Sequence, residues 1–223
     1  MAEYIVDDIR YLDHNDKEVI LMEILSEKKF CKLSIPAIIH NKIVTKINNY
    51  AFFNRLDLEE VSIPATIYEI GGLAFAGCQN LKSIIIRTPS QPLQNLIIRE
   101  EAFVNCFALT EFIGRSRIVA VLDNAFVRCG ALRLFDTHIA AIGFNAFGGC
   151  NSLKTLFLNE NASLQRGALN DCSVAKLVFD GDGFLDEALL REIWVRKIAI
   201  TCPASSNLAD LVYDGFVVKA VKK

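Results

Sequence analysis

A short phrase, Ala-Phe-x-x-Cys, recurs along the chain as Ala74-Phe75-Ala76-Gly77-Cys78, Ala102-Phe103 to Cys106, Ala125-Phe126 to Cys129 and Ala146-Phe147 to Cys150. Weaker copies open at Ala51, Ala168 and Ala188, and the seven alanines lie 23, 28, 23, 21, 22 and 20 residues apart. A period of this length marks an array of one supersecondary unit, in which each unit buries its apolar side against its neighbours. The architecture is therefore a solenoid, and a solenoid offers its surroundings a long rigid surface rather than a single cleft.

Counting from each alanine, apolar residues return at offsets 7, 10 and often 12: Leu58, Val61 and Ile63; Leu81, Ile84 and Ile86; Leu109 and Phe112; Leu132 and Phe135; Leu153, Leu156 and Leu158; Val195, Ile198 and Ile200. The last two positions differ by two, the period of a strand with one face buried. Apolar pairs also precede the motif at offsets of minus 7 and minus 4, as in Val44 and Ile47, Ile67 and Ile70, or Ile139 and Ile142. Each coil thus reads as a short extended segment, a tight turn carrying Ala-Phe, a corner with Cys and a second strand. Alanine brings the turn close to the core without loss of rotamer entropy. Phenylalanine supplies bulk that a single coil cannot cover alone. The expected fold is an α/β repeat, a solenoid of short parallel strands joined by short helical turns.

The ends break the period. Residues 3–25 alternate around the polar stretch at 13–16 and predict a β-hairpin cap, with a first strand at Phe30–Ile35. The expected organisation is an N-terminal cap and first strand over 1–42, repeats over 43–200, and a C-terminal cap over 201–223 built from a short helix over Leu208 to Val212 and a strand over Phe216 to Val221. The longest interval contains an insertion, residues 87–95, with two of the five prolines. It reads as a surface loop.

The rest of the composition chiefly excludes. With 52% apolar and 22% charged residues the chain has material for a continuous core and is not disordered. A formal net charge of -2 provides no basic field for nucleic acid. The first ten residues lack a basic segment followed by an apolar run, so a cytoplasmic location is expected on the sequence alone, and no segment is apolar enough to insert in a membrane. Seven cysteines are an odd number, and five of them, Cys78, Cys106, Cys129, Cys150 and Cys172, share one place in the repeat. There cysteine serves as a small buried apolar residue, and a column of sulfurs spread along a line does not converge on a metal. His14, His40 and His138 stand at no motif spacing from a nucleophile, which leaves a spatial Cys–His hydrolase pair as the weakest reading. Asp180-Gly-Asp182 faintly resembles a calcium loop but lacks the rest of the ligand set. A turn accounts for it. Trp194 is expected in the core or a cap. No cofactor, metal site or catalytic residue is implied.

The phrases Leu-x-x-Ile-x-Ile-Pro and Ile-x-x-Ile-Gly-x-x-Ala-Phe-x-x-Cys, best seen across residues 58–78, resemble the BspA-type leucine-rich repeat over roughly residues 30–203. The resemblance implies a right-handed solenoid with a parallel sheet along one face. It implies protein binding or adhesion rather than catalysis, and a surface or secreted location. Family motifs describe the core, so they assign no binding residue.

Recognition must then use outward positions of the second strand, at offsets 9 and 11. Offset 11 carries Ile85, Ile113, Phe157 and Phe179, and offset 9 carries Leu134 and Leu177. Apolar side chains in a column on a solvated sheet mark a contact face. These six are the candidate partner-binding residues, for a protein partner or for self-association. The other form of this reading is an adhesin or antigen that binds host or matrix proteins.

Overall fold

The structure, a computed structural model, describes residues 2–25, 29–87, 95–185 and 187–209, with backbone alone at 212–213, 216–217 and 219–220. It opens with β1 (Glu3–Val6), β2 (Ile9–Asp13) and β3 (Glu18–Ile24), an antiparallel meander. Ile9 and Tyr11 of β2 and Val19 and Leu21 of β3 alternate inward and are buried. They cover the open end of the stack, which β3 then joins in parallel.

The coils follow as β4 (Lys32–Ser34), β5 (Ile38–Ile39), β6 (Lys42–Ile47), β7 (Glu60–Ile63), β8 (Glu69–Ile70), β9 (Ser83–Ile86), β10 (Leu96–Ile98), β11 (Glu111–Val121), β12 (Leu134–Ile142), β13 (Thr155–Leu164) and β14 (Lys176–Phe179). After these come β15 (Gly183–Phe184), the helix α1 (Glu187–Val195), β16 (Ala199–Cys202), and the short β17 (Val212–Tyr213), β18 (Phe216–Val217) and β19 (Lys219–Ala220). Apart from the hairpins β5–β6 and β17–β18, they pair in parallel along two ladders, giving a β-solenoid of about seven turns. Segments that precede Ala-Phe form one ladder, β3, β6, β8 and β10, continued by the C-terminal parts of β11, β12 and β13 and by β15. Segments that follow Cys form the other, β4, β7 and β9, the N-terminal parts of β11, β12 and β13, then β14, β16 and β19.

The Ala-Phe corners are successive hydrogen-bonded turns rather than helical ones. In the first, Ala51 N donates to Asn48 O, Phe53 N to Tyr50 O and Arg55 N to Phe52 O. Tyr50 and Asn54, at φ of 60° and 55°, stop these bonds from running on as a helix. The same two places take left-handed φ in the later coils as far as the Ala168 unit, at Leu73 and Gly77, Glu101 and Asn105, Asn124 and Arg128, Asn145 and Gly149, and Gly167 and Asp171. A left-handed residue cannot continue a right-handed helix. It turns alternate N–H groups toward the next coil instead, and Phe52, Phe75, Phe103 and Phe126 donate to the carbonyls of Ala74, Ala102, Ala125 and Ala146 at 2.7–2.8 Å. The corner is in effect a third inter-coil ladder. Among the described residues the one helix is α1, which occupies the corner of the Ala188 unit. It leaves Val195 at 64% exposure, so Val195 does not pack in the core as the repeat spacing predicts, and it leaves Trp194, expected in the core or a cap, at 41% on α1. The helix turns Val195 outward, while Ile198 and Ile200 regain the inward register.

Inside, Phe52, Phe75, Phe103, Phe126 and Phe147 are fully buried and stack along the axis at 4.7, 5.0, 4.9 and 5.5 Å between ring centroids. Phe112 and Phe135 form a second stack at 5.0 Å and meet the first edge-on. The cysteines fill the corner beside these rings. Cys78, Cys106, Cys129 and Cys150 donate their thiol protons to the carbonyls of Phe52, Phe75, Phe103 and Phe126 in the preceding coil, at 3.0–3.2 Å. The buried cysteine is thus a polar tie between coils as well as a spacer. Burial pushes the thiols of Cys78, Cys129 and Cys150 well above their ordinary pKa, which keeps them protonated donors. All seven cysteines are free.

Candidate interaction surface

The outward face of the second ladder is laid out by strand register. Ser62, Ile85, Ile113 and Asp136 are successive neighbours across β7, β9, β11 and β12. In the next row Glu60, Ser83, Glu111 and Leu134 are neighbours in the same order. Across β13 the partner of Phe157 is His138, and Phe157 in turn pairs with Val178 of β14. Leu134 is 41% exposed and Phe157 37%, while Ile85, Ile113 and Val178 are half-buried. Together they form an apolar track along the sheet, broken at Asp136 and His138. A solvated sheet face ordinarily alternates apolar-in with polar-out, so these five outward side chains depart from what the fold requires.

Two of the residues expected here are not on the surface. Leu177 and Phe179 are buried, at 0% and 1% exposure. The cause is a single missing residue. Cys150 lies three positions before the inward Leu153, whereas Cys172 lies only two before the inward Val174. A one-residue shift exchanges the two faces of a strand. It turns Leu177 and Phe179 into the core opposite Leu156 and Leu158, and presents Lys176 and Val178 outward. Val178 is the apolar residue that fixed spacing misses and that an alignment on Val174 would have placed on the face.

Polar groups frame the track. His138 Nε2 lies 3.0 Å from Asp180 Oδ2, and the imidazole meets the ring of Phe157 edge-on at 6.4 Å. Asp180, the first carboxylate of the calcium-like stretch, is thereby engaged, and Asp182 accepts the backbone N–H of Asn207 at 2.8 Å. At the other end Lys32 pairs with Glu60 at 2.8 Å, and Arg87 reaches Ser34 Oγ at 2.9 Å. Residues 88–94, most of the insertion, lie outside the described residues. Among the described residues no three His, Cys, Asp or Glu side chains are grouped to hold a metal ion, and no imidazole is hydrogen-bonded to a thiol. No described helix is long and apolar enough to cross a membrane.

The order of these coils is the order of a known repeat. Residues 23–132 and 90–184 match the BspA type leucine rich repeat region, in six copies, and the chain belongs to that family. Among solved structures it is similar to a leucine rich cell surface protein of Faecalibacterium prausnitzii, with a TM-score of 0.66 and 21% identity over 93% of this chain and 56% of that one. It is also similar to a leucine rich repeat protein of T. pallidum, with a TM-score of 0.52 and 20% identity over 92% of this chain and 84% of that one. A leucine-rich repeat protein of Eubacterium ventriosum gives a TM-score of 0.53 at 16% identity, over 77% of this chain and 50% of that one. At these identities the likeness is one of fold. The chain spans little more than half of the Faecalibacterium protein. No curated protein matches the sequence.

Proposed function

We propose that this protein is a non-catalytic binding scaffold that engages another protein through the outward face of its second ladder, with Ile85, Ile113, Leu134, Phe157 and Val178 as the contact track. The observation that carries the reading is the outward placement of these apolar side chains on a sheet whose core is already complete without them. Exposed apolar area of this kind is covered when partners associate. A stacked solenoid holds the five on rigid neighbouring strands, so little conformational entropy is lost on binding. Self-association through the same face is the second form of the proposal. Location outside the cell, and with it an adhesin role, is supported by membership in this repeat family and by the likeness to a cell surface protein.

Site-specific photo-crosslinking tests the reading. A benzophenone side chain placed at position 113 or 157 is expected to give a discrete crosslinked product in the cells that make the protein. The same group at position 97, on the outward side of the other ladder, is expected to give none. Equal products from all three positions, or none from 113 and 157, would overturn it.

A further inference from the structure

Beside α1 the regular corner surface gives way to a groove of about 630 Å³, between the corner of the Ala168 unit and the helix that replaces the next corner. Its apolar side is made by Phe144, 48% exposed, and Val195, 64% exposed. Phe144 does not swing free. Its ring lies against Gly167, where an added Cβ would stand 3.0 Å from Phe144 Cε2, so the glycine is the platform on which the ring rests. Gly167 is also at φ +76°, a conformation that L side chains rarely adopt.

Among the described residues that line the groove, three guanidinium groups, of Arg166, Arg191 and Arg196, stand against one carboxylate, that of Glu192. Arg196 is spent on the fold: it donates to the carbonyls of Leu169 and Cys172 and pairs with Glu192 Oε1 at 3.2 Å. In this unit Arg196 caps the corner carbonyl, and the thiol of Cys172 turns back to Leu169 O in its own coil. Glu192 is thereby neutralised. Arg166 and Arg191 also line the groove, both exposed, and among the described residues neither has a carboxylate within ion-pair distance. Two guanidinium groups that have no carboxylate partner among the described residues thus stand beside two exposed apolar side chains, Phe144 against Gly167 and Val195 at the end of α1. Guanidinium forks bind carboxylates in bidentate fashion and resist desolvation less than ammonium groups do.

We infer that this groove is a second docking site, separate from the sheet face, for an acidic peptide segment of a partner protein in which Asp or Glu flanks an aromatic or aliphatic residue. The carboxylates meet Arg166 and Arg191, and the apolar residue covers Phe144 and Val195. Charge complementarity decides the sign of the partner, and the apolar floor decides that the partner is a peptide rather than a bare anion.

The test is an array of hexapeptides combining Asp, Glu, Lys, Ser, Phe and Leu, probed with the wild-type protein, with Arg166→Glu/Arg191→Glu and with Ile113→Thr/Phe157→Thr. Retained peptides are then titrated by fluorescence anisotropy. Expected are acidic–apolar peptides on the wild type, at least tenfold weaker binding to the arginine double variant at unchanged melting temperature, and unchanged binding to the sheet-face variant. The inference is overturned if the wild type retains basic or neutral peptides equally well, or if the arginine double variant keeps the acidic set. It is also overturned if single-stranded RNA or phosphatidylserine vesicles bind through the same arginines more tightly than any peptide. Loss of the peptides on the sheet-face variant alone would transfer the site to the track and refute the groove, while crosslinking at 113 and 157 tests the sheet face by itself.

Discussion

Phe52 and Phe103 occupy the same place in the repeat and are both fully buried, yet they have different neighbours. Phe52 meets one described ring, Phe75, at 4.7 Å. Phe103 stacks between Phe75 and Phe126 at 5.0 and 4.9 Å and meets Phe112 edge-on at 5.9 Å. Truncation of either to alanine removes the same apolar surface from the core, at a cost of about 3–5 kcal/mol. The two further aromatic contacts of Phe103, each contributing roughly 0.5–1.5 kcal/mol beyond area burial, set the difference. Phe103→Ala is therefore expected to destabilise by about 1–3 kcal/mol more than Phe52→Ala. Urea unfolding followed by far-UV circular dichroism measures both, and fluorescence of Trp194 reports whether the C-terminal coils melt with the rest. Coincident transitions with the stated difference support a continuous aromatic spine. Equal losses, or a larger one at Phe52, would refute the idea that stacking adds to burial.

Two other predictions concern charge and thiols. Asp57 binds Arg55 at 2.8 and 2.9 Å and accepts the N–H of Phe30 at 2.6 Å, which ties the first strand segment to the next coil. These partners, the Arg55 hydrogen bond first, lower its pKa from 3.8 to about 2. Because the folded pKa is depressed, the stabilisation, on the order of 2 kcal/mol, is complete above pH about 4 and is lost as pH falls toward 2. Asp57→Asn should lower stability at neutral pH and flatten the decline between pH 4 and 2, and an unchanged acid decline would contradict the assignment. In the folded protein a thiol reagent should label the exposed Cys31 first and leave Cys78, Cys106, Cys129 and Cys150 protected until unfolding. Fast labelling of any column cysteine would revive a nucleophilic role.

Much of this architecture is legible in the sequence because each coil must repeat the same buried contacts. The spacing of Ala, Phe and Cys identifies the corner, and the period-2 pairs such as Val61 and Ile63 identify the strands that follow. The corner's turn type is not legible from residue identity alone. Left-handed φ falls on Asn and Gly at some coils but on Leu73, Glu101 and Arg128 at others, where the inter-coil ladder overrides local preference. Nor does residue type reveal the thiol bonds, since a buried cysteine looks the same with or without a carbonyl 3 Å away. The outward face was readable wherever the count from alanine holds. At Leu177 and Phe179 one absent residue moved the whole strand, and only the burial of Val174 shows where it was lost. Val195 departs for another reason, because α1 supplants the corner that would have turned it inward.

In the proposed function the repeated motif builds the frame and the residues between its copies bind. Its most direct measurement is retention of the crosslink-identified partner by immobilised protein, comparing the wild type with Ile113→Thr/Phe157→Thr. Threonine keeps the strand preference and removes most of the outward apolar surface. An unchanged melting transition with at least tenfold weaker retention is the expected result. Full retention by the double variant at unchanged stability would place binding elsewhere and contradict it.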